Sequence, residues 1–150
     1  MKNAKVILTF LIISISCIVK NDTNWVSLSG SKCKDAIFQR SHRELPNSFS
    51  IYKLSDSICL QIESVLPHIL DSLNKLNESM PITSYKRQYF GLKTKKNSFI
   101  YVNLFPNEHV GFSYWREKPV WVLDGGNGFC GIVIDFDKMR VVEIACNGEG

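Results

Sequence analysis

The side chains able to do chemistry in this chain are scattered rather than grouped. His42, His68 and His109 lie far apart, with no partner at metal-ligand spacing beside any of them. A Ser/His/Asp arrangement assembles in space, but no Gly-x-Ser-x-Gly is present to mark a nucleophile. Asp124, Asp135, Asp137 and Glu143 are close enough in sequence to raise the paired carboxylates of glycoside cleavage. Asp135 and Asp137, however, sit at a turn, where Asp is common for local hydrogen-bonding reasons. Asp124-Gly125-Gly126-Asn127-Gly128 has ingredients of a calcium or phosphate loop. It lacks the further acidic positions of an EF-hand and the Lys and helix of a phosphate loop. The expectation is a hairpin turn in which glycine supplies positive φ. No catalytic residue, metal ligand or cofactor is assigned.

Binding is better served by the residue types. Lys93, Lys95 and Lys96 follow Lys86 and Arg87 without an acidic neighbour, a basic stretch suited to an anionic lipid or polysaccharide. A charged hairpin tip also serves simply to protect a sheet edge. Tyr101, Phe112, Tyr114, Trp115 and Trp121 fill a core by default; Trp115 or Trp121 left exposed would mark a partner or carbohydrate surface.

The elements that must position these residues are read from periodicity. Ser55–Leu76 is the clear helical region, capped by Ser55, with Ile58, Ile62, Val65, Leu66, Ile69, Leu70, Leu73 and Leu76 recurring at spacings of three and four. Pro67 is expected to kink it or divide it in two. His68 lies off the apolar stripe and reads as solvent-facing. Ser48–Leu54 alternates as a short edge strand, and Lys32–Asn47 reads as a short helix or an irregular arm. From Tyr85 the period becomes that of strands: Tyr85–Leu92 and Phe99–Phe105 form a hairpin with its tip at Lys93–Asn97. A short strand is expected from Phe112. The end of the chain reads as strand, turn, strand, turn, strand, with breaks at Asp124–Gly128 and Asp135–Lys138. The expected fold is α+β: an N-terminal helix packed on an antiparallel meander of four to six strands, two layers, with cystatin-like topology as analogy.

The 150 residues amount to one domain, and 45% hydrophobic against 21% charged residues makes it globular. Met1–Lys20 carries Lys2 and Lys5, then an apolar region Val6–Ile15, then small residues at Ser14 and Ser16, the pattern of an export signal. The apolar run ends at Val19, short of a membrane span. Of 18 basic residues, removal of Lys2 and Lys5 leaves 16 against 14 acidic, a net charge of +2, which gives no reason to expect nucleic acid. The organisation read from this is a signal at residues 1–16, an anchor and tether at 17–31 and a single domain at 32–150.

Cys17 directly after Ser16 resembles a bacterial lipoprotein signal, in which the Cys becomes the lipidated first residue. That family usually has Leu three residues before the Cys; here it is Ser14. Ordinary cleavage after Ser16 cuts the same bond and leaves Cys17 bare. Further on, Tyr85-Lys86-Arg87-Gln88-Tyr89-Phe90-Gly91, Phe99–Phe105 and Asp124-Gly125-Gly126 with Phe129 and Asn147-Gly148 together resemble small exported bacterial proteins of uncharacterised function. The resemblance covers about Ser55 to the C-terminus. It implies export and this order of helix and strands, and brings no catalytic residues.

Export places the remaining Cys33, Cys59, Cys130 and Cys146 where thiols oxidise. Four cysteines allow three pairings. A three-residue turn at Asp137–Met139 would set Phe136 opposite Arg140, Ile134 opposite Val142, Ile132 opposite Ile144 and Cys130 opposite Cys146, a pair able to form a disulfide. A two-residue turn would offset the two sulfurs. The functional expectation is an exported, lipid-anchored, non-catalytic binding module at the cell envelope, in the periplasm or secreted, with a protein or polysaccharide partner. A secreted inhibitor or immunity-type protein and a small hydrolase are the alternatives.

Overall fold

A computed structural model describes residues 23–38, 45–73, 81–109 and 111–147. The segment expected to be a signal, Cys17 and His42 lie outside the described residues. The described chain is a mixed α/β fold built on a six-stranded, mostly antiparallel sheet. In chain order its elements are β1 (Trp25–Ser27), α1 (Cys33–Phe38), β2 (Ser50–Tyr52), α2 (Asp56–Leu73), β3 (Tyr85–Lys93), β4 (Ser98–Pro106), β5 (Cys130–Asp135) and β6 (Arg140–Cys146). β3 to β6 pair successively and antiparallel. The outer side of β3 is divided: β1 runs parallel along Arg87–Tyr89, and β2 antiparallel along Gly91–Lys93.

β1 falls inside the stretch expected to be a tether. Trp25 packs edge-on to Tyr89, and Val26 meets the aromatic cluster of the other sheet face. Three residues are too few for a period to show. Ser27 fastens the two short strands where they meet. Its hydroxyl donates to the Tyr89 carbonyl at 3.3 Å and accepts from Leu54 N–H at 2.8 Å.

Successive strand residues face opposite sides of a sheet, and here both sides are buried. On one side Tyr85, Tyr89, Ile100, Val102, Leu104, Ile132 and Ile134 share a cluster with Cys59, Ile62 and Leu66 of α2. On the other, Phe90, Leu92, Phe99, Tyr101 and Val133 cluster with Cys33, Ala36 and Ile37 of α1 and with Leu45 and Phe49. Next to these, Phe105 gathers Phe112, Trp115, Val120 and Phe129 from the long loop 107–129. The two-layer expectation therefore omits a layer. The cover on the second face is one six-residue helix and irregular chain, neither long enough nor regular enough to leave a period.

α2 begins as its sequence implies, with Ile58 N–H donating to the Ser55 hydroxyl at 3.4 Å. It runs unbroken through Pro67 rather than as two helices. Ile62 and Leu66 of the expected stripe are buried and Ile58 packs on the same core, joined by Cys59, whereas Val65 is exposed. Leu76 lies outside the described residues.

The run Pro119–Leu123 is not a strand, and Asp124–Gly128 is not a hairpin turn. Gly126–Gly128 is a single 3₁₀ turn leading into β5, with Gly126 at φ 66°. Phe112–Trp115 is likewise a turn. Amide side chains occupy the backbone groups that a neighbouring strand would have used. Gln88 Oε1 accepts from Val120 N–H at 2.8 Å, and Asn103 Nδ2 donates to Val120 O at 2.7 Å. Asn147 Nδ2 donates to Val122 O at 2.9 Å. Gln88 Nε2 also donates to the carbonyls of Trp115 and Lys118 at 2.6 and 2.7 Å. A buried amide must be paired, and these are paired by the loop they hold.

The last hairpin corrects the expected turn and keeps its consequence. Asp135 pairs with Arg140 and Ile134 with Val141, across a four-residue turn Phe136–Met139. A register shift between Val133 and Ile134 then restores Ile132 opposite Ile144 and Cys130 opposite Cys146. The Cys130–Cys146 disulfide is formed, with Cα atoms 4.0 Å apart.

Candidate functional site

The β3–β4 hairpin carries the basic tip, and Thr94 builds it. Thr94 N–H donates to Asn97 O at 2.9 Å, and the Thr94 hydroxyl accepts from the Lys96 and Asn97 amides at 3.2 and 2.8 Å. A Thr that closes its own turn fixes the direction of the residues between. Lys95 and Lys96 are those residues, and both are exposed.

Beneath them lies an open groove of about 580 Å³, walled by Thr94–Asn97 on one side and by Leu45, Pro46 and Ser48 on the other. Its floor is Leu45 and Phe99, whose outer parts close the core beneath α1. Among the described residues, the lining has two ammonium groups, hydroxyls, an amide and an apolar base, with no carboxylate and no His. Such a surface takes an anionic group at the lysines and an apolar portion below. The two hydroxyls in the lining have no base beside them there.

The expected basic trio is divided. Lys93 lies on the α2 side of the sheet and donates to Ser98 Oγ across the strands at 3.0 Å, while Lys95 and Lys96 line the groove. The two candidate tryptophans part as well. Trp115 is only 6% exposed, set edge-on to Phe105, with the Arg116 guanidinium 4.4 Å and the Lys86 ammonium 5.7 Å from its ring. It is core, not interaction surface. Trp121 is 52% exposed, and Leu123, which the sequence did not single out, is 77% exposed.

The acidic group is also dispersed. Asp124 lies in the loop before β5, whereas Asp135 ends that strand and Asp137 lies in the turn after it, about 20 Å of strand away. Asp135 caps its turn by accepting from Lys138 N–H at 3.1 Å, and it pairs with the Lys138 ammonium at 3.2 Å. Burial works to raise its pKa, but these contacts and Arg140 outweigh it, so the carboxyl lies below its usual range. Two other grooves contain one carboxylate each, Asp56 and Glu108. Among the described residues, no three of His, Cys, Asp and Glu come together as metal ligands.

The tightest polar cluster joins α2 to β3. Arg87 donates from Nε and Nη2 to the two oxygens of Glu63 at 2.6 and 2.8 Å, and from Nη1 to the carbonyls of Tyr85 and Ile82 at 2.6 and 2.9 Å. Tyr89 also donates to Glu63. Burial first, then the Glu63 charge, raises the Tyr89 hydroxyl well above its ordinary pKa. Every group is matched within the fold, so the cluster is a fastening rather than a reactive site. Cys33 and Cys59 are free thiols buried on opposite faces of the sheet, each pushed by burial to a pKa of about 11. Asp56 and Glu63 add to the rise at Cys59. They do not bridge and are poor nucleophiles.

Sequence reasoning found Lys95 and Lys96 but not the opposite wall, because Leu45 and Pro46 lie in a stretch without period and Ser48 only begins the alternation that follows. Asn103 left a readable mark, a lone amide inside an apolar strand at a position alternation buries; Gln88, directly after Lys86 and Arg87, left none. Compared with protein-family models, with curated proteins and with solved structures, the chain matches none.

Proposed function

We propose that this protein is an exported, envelope-anchored binding module that does no chemistry and engages an anionic partner at the Lys95–Lys96 groove. One observation carries the reading: a hydrogen-bonded turn holds two lysines over an apolar floor, with no acidic residue among the described residues of the lining. The fold we take as α+β, with α2 laid over one side of the meander, analogous to cystatin-like topology. The signal-like N-terminus with Cys17, and the resemblance to small exported bacterial proteins, support the location. The partner is a protein or polysaccharide presenting carboxylates or phosphates beside apolar surface, and no nucleic acid is implied.

The test is retention from envelope extracts by immobilised wild type and by Lys95→Glu/Lys96→Glu. The wild type is expected to retain an acidic component that is released by salt, and the variant to lose at least tenfold of it. Equal retention by both would exclude the groove. The inhibitor alternative is favoured by the exposed Trp121 and Leu123, which give it a protruding apolar loop.

A further inference from the structure

The loop 107–129 leaves Trp121 and Leu123 exposed while holding their neighbours. Val120 is buried and amide-bound on both its N–H and C=O, and Val122 packs on the aromatic cluster with its carbonyl held by Asn147. In an extended run, fixing alternate side chains inward turns the others outward. Trp121 and Leu123 are thus presented on a braced segment. Tyr114, also exposed, belongs to the same loop.

Position says what they meet. Trp25 is level with Arg87 in the parallel pairing, so Thr23 reaches the sheet at the Tyr85 end of β3. Loop 107–129 springs from that same end, since Tyr85 pairs with Pro106. The two are joined directly: Arg116 Nη2 donates to Thr23 O. The chain before Thr23 contains the apolar run ending at Val19 and, at Cys17, the expected lipid attachment. Six residues from Cys17 to Thr23 span at most about 20 Å. An anchor there keeps this end of the domain beside the membrane. The hairpin tip with Lys95 and Lys96 is at the opposite end of nine-residue strands, about 30 Å away.

We propose that Trp121 and Leu123 dock into the lipid surface to which the chain is anchored, so that the Lys95–Lys96 groove points outward. The inference rests on the anchored reading of the N-terminus. Among the described residues the charges of this end balance, Lys86, Arg116 and Lys118 against Glu108, Glu117 and Asp124. Docking is therefore by apolar and aromatic insertion, the interfacial role that Trp and Tyr suit, and is insensitive to salt.

The full chain, produced with its signal, is tested with a photoreactive phenylalanine analogue at Trp121, at Leu123, or at Lys95 as the control. All three positions are exposed, so the substitutions leave the core intact. After irradiation of intact cells, the peptides from positions 121 and 123 should gain phospholipid mass at least tenfold more often than that from position 95. Fatty-acid labelling of the same cells, with Cys17→Ala for comparison, reads the anchor separately. A Cys17-dependent label without lipid adducts would overturn the docking and leave the anchor. Lipid adducts without the label would keep the docking and discard the anchor. A protein adduct at 121 in place of lipid would overturn the docking and assign the loop to a protein partner.

Discussion

Arg87 is a buried cation that Glu63 meets with both oxygens. Removing one member of such a pair strands the other without solvent. Glu63→Ala should therefore cost about 3–5 kcal/mol in urea unfolding. Tyr89→Phe, which removes one donor and leaves the ion pair, should cost about 1–2 kcal/mol. Equal small losses would mean that the pair is solvated. The two buried thiols give a second prediction at this scale. Burial favours the neutral thiol in the folded state, so this contribution is complete below the unfolded pKa of 9.0 and is lost as pH rises through about 11. The urea midpoint should fall across that interval, and fall less steeply in Cys33→Ala/Cys59→Ala. At pH 7–8 both thiols should resist iodoacetamide until urea is added, and ready alkylation in the folded state would contradict their burial.

Among the elements, α2 and the β5–β6 hairpin make separate claims. Leu66→Ala should cost about 2–5 kcal/mol and Val65→Ala less than about 1 kcal/mol, because only Leu66 is enclosed. Comparable losses would place both on one face. Reduction of Cys130–Cys146, or Cys130→Ser/Cys146→Ser, should cost about 3 kcal/mol for a separation of 16 residues. A free thiol at either position in protein taken from the envelope would contradict the bridge. How far the elements could be read from sequence follows their physics. The hairpin β3–β4 and the cap at Ser55 were legible because alternation and capping are local. The disulfide was legible through side-chain facing, although the turn is one residue longer than expected and a register shift compensates. Pro119–Leu123 misled because it is a short β-branched and aromatic apolar run beside a glycine-rich break, while the partners of its backbone are Gln88, Asn103 and Asn147, the first two far off in sequence. β1 was hidden by its length. Of the groove, the lysines were visible and the facing wall was not, since only the folded chain brings Leu45 to Phe99.

At the scale of the molecule the sheet has two unlike ends. One has Thr23, the braced loop and the exposed Trp121 and Leu123; the other has the basic turn and its groove. A module that binds outward from a surface needs that polarity, and a rigid core with buried faces on both sides of the sheet transmits it without moving parts. The central claim is that the Lys95–Lys96 groove is where a partner is held. A photoreactive phenylalanine analogue at Ser48, on the opposite wall, tests this in intact cells with the lysines left in place. The account predicts one recurrent acidic adduct at Ser48 that disappears when Lys95→Glu/Lys96→Glu is combined with it. An adduct of unchanged yield in the charge-reversed chain, or none at Ser48 while the protein is folded and exported, would contradict it.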